Sequence, residues 1–493
     1  MKQFQSVLPL QETSGVPQRK IDLETLFFDY NKFHHPRGKD MFGRVQGWTD
    51  WLDKLKTTRL FLYSRRTLTP PGAECQGMDE YGEIFYGLNF ASADYLGLSQ
   101  AEESKEAAIQ AAQEYGVNSC GSPLAFGGHK YYYQLIEELQ EFWGVKHCML
   151  LSAGWLAGFG TIKCLVKQHD HIVMDALAHN CLIEGSKAST KNIHKVKHLC
   201  NESMEAKIKE IRENYPDEGI FVITEGLFSM DADTADLVGL QRICKKYDAF
   251  MMIDSAHDFG CMGPTGKGCW EEAGLKDLSN VILMGGGSKC LSTNLGFVGC
   301  NNRAVIEYMK IHCTAYMFTN AVNPIQCATS LSQLRILSGE IGNQIRQKVI
   351  SNYNYTKSKL NALGYRCIGK PCPILIVYIG NEVVSRLVGR LMMDWGVHVN
   401  GIEYPVVGMN EARLRLNLMP QHTKDNMDIF VEIFDRVFKQ ATLMFDEAME
   451  VYQQKMADRE EAEEKQQQEL QEQEKQQNNS SNNNNKVVAQ PKL

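Results

Sequence analysis

The stretch from Ala249 to Lys289 constrains this chain more than any other. It opens with AFMMIDSAHDFG, an apolar run that ends on Asp254 with His257 close behind. It passes through Gly263-Pro264-Thr265-Gly266-Lys267-Gly268 and closes on a second apolar run, VILMGGGSK. Short apolar runs bounded by turn residues read as buried strands, so each run would deliver a polar group at its carboxyl end. Open α/β sheets bind ligands along that edge. Taken singly, the same residues have plain readings: an Asp that caps a helix, a solvated lysine, and a turn at Gly285-Gly286-Gly287.

A carboxylate at one strand end and a lysine after the next could serve pyridoxal phosphate (PLP). Its ring nitrogen takes an acidic partner and its aldehyde takes an amine. Other phrases stand in order around this stretch: NFASADYLGLS (Asn89 to Ser99), LLSAGWLAGFG (Leu150 to Gly160), MDALAHN (Met174 to Asn180), TEGLFSMDAD (Thr224 to Asp233) and ARLRLNL (Ala412 to Leu418). Over about residues 85–440, this collinear series resembles the α-oxoamine synthase family of PLP enzymes. The resemblance implies an α/β chain of PLP-dependent transferase fold type I, a mostly parallel sheet with flanking helices plus a smaller C-terminal α+β domain. It also implies an enzyme, a PLP-dependent acyltransferase that joins an amino acid to an acyl-CoA with loss of CO₂. Serine is the favoured amino acid, because NFAS…LGL and YGVNSCG (Tyr115 to Gly121) are similar to serine palmitoyltransferase subunits. Glycine- or alanine-using synthases, and a non-catalytic subunit of a heterodimeric synthase, are the alternatives.

Residue by residue, Gly154 and Trp155 follow a strand and open a helix, where unsatisfied N–H groups and the helix dipole suit a phosphate. The family resemblance implies that His179 stacks on the cofactor ring and helps position the substrate, and that Ser229 and Glu225 hydrogen-bond around the cofactor. It implies that Asp254 holds the ring nitrogen protonated and His257 the phenolic oxygen. Lys289 would hold the aldehyde and then act as base, which needs an amine pKa depressed by burial or cationic neighbours. Ser288, and Thr319 of a partner subunit, are candidate phosphate ligands. Arg413 and Arg415 alternate with leucines, so a strand puts both on one face. Arg415 is the better match to a family arginine near the substrate carboxylate, and a structural ion pair is the other reading. Several positions depart from the family. Glu403, before Tyr404-Pro405, replaces an arginine and would repel a carboxylate, and Gly286, Pro123 and Ala93 replace a threonine, an arginine and an asparagine.

A net charge of −7 argues against nucleic acid as a partner. The 15 cysteines show no metal or disulfide spacing, so no metal is expected, and Cys120, Cys148, Cys164 and Cys261 read as small buried hydrophobes. With no secretory signal, transit peptide or spanning apolar run, a cytoplasmic protein is expected, with endoplasmic-reticulum association left open. Residues 1–84 form an N-terminal segment. Trp48, Trp51, Leu52 and Leu55 predict an amphipathic helix there, which packs on the main domain or across a dimer, or docks on a membrane surface through Lys54, Lys56, Arg59, Arg65 and Arg66. A large PLP-binding domain is expected over 85–340 and a small C-terminal domain over 341–450. The acidic, Gln/Asn-rich tail 451–493 is expected to be disordered or a frayed charged helix. The resemblance further implies a homodimer, or a heterodimer with a related subunit.

Overall fold

The structure, a computed structural model, describes residues 26–27, 33, 35–58, 60–79 and 82–484. Three strands come first: β1 (Arg66–Thr67), β2 (Glu74–Met78) and β3 (Ile84–Asn89). Next are β4 (His147–Leu151), β5 (His171–Asp175), β6 (Ile193–Val196), β7 (Ile220–Glu225), β8 (Phe250–Asp254), β9 (Val281–Gly286) and β10 (Gly296–Cys300). These seven form the central sheet in the order β4-β10-β9-β8-β7-β5-β6. The pairs β5–β6, β5–β7, β7–β8 and β8–β9 are parallel, and β10 runs antiparallel to both β4 and β9. The mostly parallel sheet is thus the one expected, with β5 and β8 on the expected bounds. The glycines that could have been a turn instead carry β9 on to Gly286.

Parallel strands joined by crossover helices are covered on both faces, which is why they read as unbroken apolar runs. The two core clusters are those two faces. Leu150, Val173, Met251, Ile253 and Leu283 belong to one, while Met149, Ile172, Met174, Met252, Ile282 and Met284 belong to the other. Each such side chain contributes about 1.5–3 kcal/mol by leaving water.

The C-terminal part adds β11 (Cys367–Ile368), β12 (Ile374–Gly380), β13 (Val397–His398), β14 (Asn400–Ile402) and β15 (Ala412–Asn417). The sheet β11-β12-β15-β14 is antiparallel, whereas β13 leaves it to pair with β3. The run HVNGI (His398 to Ile402) is therefore divided between two sheets. One helix then runs from Lys424 to Asn484, through most of the segment whose composition suggested disorder. Exposed pairs one turn apart, Arg459 with Glu463 and Lys465 with Glu461, support it there.

Two compact units emerge. One runs from Leu62 to Asp435, and the other joins the described residues before Leu62 to those from Arg436 on. In the second unit the expected N-terminal helix spans Gln46–Thr58 and buries Trp51 and Leu55. No helix among the described residues is long and apolar enough to cross a membrane.

A charged clamp closes one side of the large sheet. His198 Nδ1 lies 2.8 Å from Asp175 Oδ1 at the end of β5, and its Nε2 lies 3.3 Å from Asp233 Oδ2. Burial lowers the imidazole pKa, but hydrogen bonds to the two carboxylates outweigh it and push the pKa up to about 10. A raised pKa stabilises the fold fully below the unfolded value, and the contribution fades as pH rises through the folded value. Wild-type stability should therefore fall between about pH 6.5 and 10 more steeply than that of His198→Gln, which should be less stable at neutral pH by about 2 kcal/mol. Urea unfolding across that range measures both.

Candidate active site

The carboxyl ends of β4, β5, β7, β8 and β9 meet along one edge, and the predicted residues collect there. Glu225 and Asp254, the last residues of β7 and β8, stand directly opposite one another and are both buried. Glu225 Oε1 accepts the main-chain N–H of His179 at 2.6 Å, and Asp254 Oδ1 accepts that of Ala256 at 2.9 Å. Desolvation raises the pKa of both acids, Glu225 well above the ordinary value because the neighbouring Asp254 charge adds to burial. Half-buried Lys289 follows the end of β9. Desolvation lowers its amine pKa and Arg415 lowers it further, while Asp254 opposes the shift.

Buried His257 follows Asp254 by less than one helical turn. Arg415 Nη2 donates to the Tyr95 hydroxyl at 2.8 Å, and that oxygen lies 2.8 Å from His257 Nδ1. The phenol already accepts from the arginine, so its own proton goes to His257. Burial, with the cationic Lys289 and Arg415 nearby, holds the His257 pKa well below its usual range, so the ring is neutral and can accept. This chain ties β15 of the small sheet to the end of β8.

The phosphate-type turn comes after β4. The helix Gly154–Leu165 begins with no side-chain cap, which leaves its leading amides for another partner. A Cβ built on Gly154 would sit 3.3 Å from the Cα of Gly286, so the turn and the end of β9 are close enough that only glycine fits comfortably. Among the described residues, the buried hydroxyls of Ser152, after β4, and Ser255, after β8, and the Nε of Arg415, on β15, have no hydrogen-bond partner. An anion-ready helix start, a buried carboxylate, a depressed amine and orphaned polar atoms along one edge fit the donor set PLP requires.

The predicted residues are not equally central. Asp254, Lys289 and Arg415 all act on the charge of His179, and Lys289, Arg415 and His179 on that of His257. Trp155 is 42% exposed and stacks on Phe159, while Ser288 is exposed and Ser229 buried. The Thr319 hydroxyl donates to the Ala315 carbonyl of its own chain at 2.8 Å. Sequence reasoning missed Tyr95, although it lies inside NFASADYLGLS, because a tyrosine among apolar residues reads as core. It also missed Cys181, whose Sγ is 3.0 Å from His179 Nδ1. Ligand atoms of His179, Cys181 and Asp254 lie within 4.8 Å of one another, all inside this one site.

Two expectations change, those for Glu403 and Cys120, and the two arginines are told apart. Arg413 and Arg415 share a strand but not a role: Arg413 is only 3% exposed and is held by Asp231, Glu411 and the Met230 carbonyl. Glu403 does not stand as a bare negative charge, because Arg386 Nε meets its carboxylate at 2.7 Å within the protein. Cys120 is exposed, with φ of 52°, because it lies in a loop rather than in a strand or helix.

The family model for aminotransferase class I and II matches residues 87–434. The chain belongs to this family. It is 32% identical over 393 residues to the serine palmitoyltransferase of Sphingobacterium spiritivorum, covering 80% of this chain and 95% of the relative. It is 31% identical over 357 residues to the 8-amino-7-oxononanoate synthase of Thermoanaerobacter pseudethanolicus, covering 72% and 89%. In structure it is similar to a variant serine palmitoyltransferase from S. paucimobilis with a bound PLP–myriocin aldimine, with a TM-score of 0.76, 21% identity and coverage of 82% and 100%. Within the family, these relatives place the chain among the α-oxoamine synthases, PLP-dependent C-acyltransferases, and its cofactor is PLP.

The two arginines should separate by experiment. Arg413→Ala removes a buried guanidinium and its bonds to Asp231, Glu411 and the Met230 carbonyl, and should lose about 2–3 kcal/mol of stability. Arg415→Ala, which gives up one hydrogen bond to Tyr95, should lose about 1 kcal/mol. Denaturant titration of both variants checks the contrast.

Proposed function

We propose that the protein condenses an amino acid, serine by preference, with an acyl-CoA and releases CO₂ and CoA, giving an aminoketone of the kind that begins sphingoid-base synthesis. The observation that carries this reading is the pairing of Asp254 and Lys289 at neighbouring strand ends of a chain 32% identical to a serine palmitoyltransferase. Bound PLP supplies an electron sink for charge developing on the amino acid's α-carbon.

The chain's own residues supply the rest. Asp254 holds a proton on the ring nitrogen, and its buried carboxylate gains a cation to face. His257 donates toward the phenolic oxygen, with its Nδ1 occupied by Tyr95. The helix start at Gly154 and Trp155, with Ser288, would hold the phosphate end, as would Thr319 from a second subunit of a dimer, and Ser229 would hydrogen-bond around the cofactor. The lowered pKa of Lys289 leaves a larger share of its amine uncharged near neutrality, so it can take the α-proton. Arg415, steadied by Tyr95, offers its guanidinium to the substrate carboxylate. Glu403 leaves that carboxylate alone because Arg386 neutralises it. The 31% identity to an 8-amino-7-oxononanoate synthase favours a second reading, in which glycine or alanine takes the place of serine.

Release of free CoA thiol, followed for serine, glycine and alanine against acyl-CoAs of several chain lengths, tests both readings. Serine with a long-chain acyl-CoA should give the highest kcat/KM, and Lys289→Ala should lower kcat by at least ~10²-fold. A PLP-loaded protein that releases no CoA with any pair would overturn the proposal in favour of a non-catalytic subunit. Asp254→Asn should weaken PLP retention about tenfold or more, measured by equilibrium dialysis, since one charge-assisted hydrogen bond is lost.

A further inference from the structure

His179 is the N-cap of the helix Asn180–Ser189, and its own side chain serves as the cap. Its Nδ1 accepts the main-chain N–H of Cys181 at 3.3 Å. A main-chain N–H can only donate, so Nδ1 carries no proton. The Cys181 Sγ lies 3.0 Å from the same nitrogen, and with no proton on Nδ1 the thiol must be the donor. Burial raises the thiol pKa far above its usual value, and Asp254 and Glu225 raise it further, so the S–H proton is retained. The backbone of His179 is fixed as well, by its N–H to Glu225 Oε1 at 2.6 Å. Of the charged groups facing the ring, Asp254 favours the imidazolium, while Lys289, Arg415 and desolvation oppose it, and the balance falls on the neutral side.

We propose that Cys181 is a positioning residue whose S–H and main-chain N–H hold His179 as the Nε2–H tautomer, so that the exposed edge of the ring presents a hydrogen-bond donor to an incoming oxygen. The oxygens such an edge recognises are those of a carboxylate or a thioester carbonyl; an ammonium group or an alcohol proton would find no acceptor there. This inference rests on the proposed function only for the identity of that oxygen. The tautomer itself follows from the hydrogen bonds around Nδ1.

The test is NMR of the PLP-loaded protein carrying ¹⁵N-histidine, with the His179 signal identified by its loss in His179→Asn. The expected signature is a protonated Nε2 with an unprotonated Nδ1, unchanged between about pH 6 and 8. Cys181→Ser, which keeps an X–H donor, should retain it. Cys181→Ala keeps the main-chain N–H but loses the thiol, so the Nε2–H tautomer should persist in a less firmly held ring, with a broadened His179 signal and a KM for the amino acid raised about fivefold while kcat changes less. An Nδ1–H or imidazolium signature in the wild type would overturn the inference. So would an alanine variant that matches the wild type in both signal width and KM. If the alanine variant does not fold, the wild-type signature and its retention in the serine variant decide the matter. An intact signature in a protein that turns over no amino acid with any acyl-CoA would instead count against the condensation reaction alone.

Discussion

Two opposite charges held out of water at neighbouring strand ends set the terms for the rest of the large unit. Asp254 is buried at the end of β8, and Lys289 is half-buried just beyond the end of β9. Desolvation disfavours the charged form of each, and each eases the cost of the other. Such an arrangement is stable only if the surrounding backbone is rigid and the remaining polar groups are paired. The parallel sheet meets the first condition, since both faces of β7, β8 and β9 are packed with apolar side chains. The chain from Arg415 through Tyr95 to His257 and the bond from His179 to Glu225 meet much of the second. A cationic ring nitrogen placed against Asp254 would relieve the strain that burial imposes on that carboxylate, so PLP held there would stabilise this edge of the sheet.

The same constraint explains the distribution of small residues. The helix Gly154–Leu165 must start close to the strand end if its amides are to reach a phosphate held between them. Gly154 and Gly286 allow that approach, which a side chain on either would make tight. Gly154 and Gly286 therefore serve this close approach rather than a flexible turn.

Much of this was legible in the sequence, because strands buried on both faces leave unbroken apolar runs and each run ended on a polar residue. β5 and β8 fell on the expected residues, and Asp254, His257, His179 and Lys289 fell on one edge. What stayed hidden depends on contacts between residues far apart in the chain. Alternation placed Arg413 and Arg415 on one face, yet only the partners brought in by the loop 230–231 and by Glu411 separate an ion pair from a guanidinium that meets a tyrosine hydroxyl. Glu403 looked like a repulsive substitution until Arg386, on the helix Glu382–Asp394, supplied its counter-charge. Tyr95 and Cys181 read as core residues, since nothing local announces that a hydroxyl or thiol has a histidine to face. Of the two readings of the tail, the charged helix has its own support: the charges lie one turn apart, where they can hold a helix that has little apolar surface to bury.

The most direct test of the central claim asks which amine holds the cofactor. The PLP-loaded protein can be reduced with borohydride, which fixes a lysine-bound PLP permanently, then digested and mapped by mass spectrometry. A single pyridoxyl group, on Lys289, is expected. A protein that carries PLP elsewhere, or retains none under conditions that load its relatives, would contradict it.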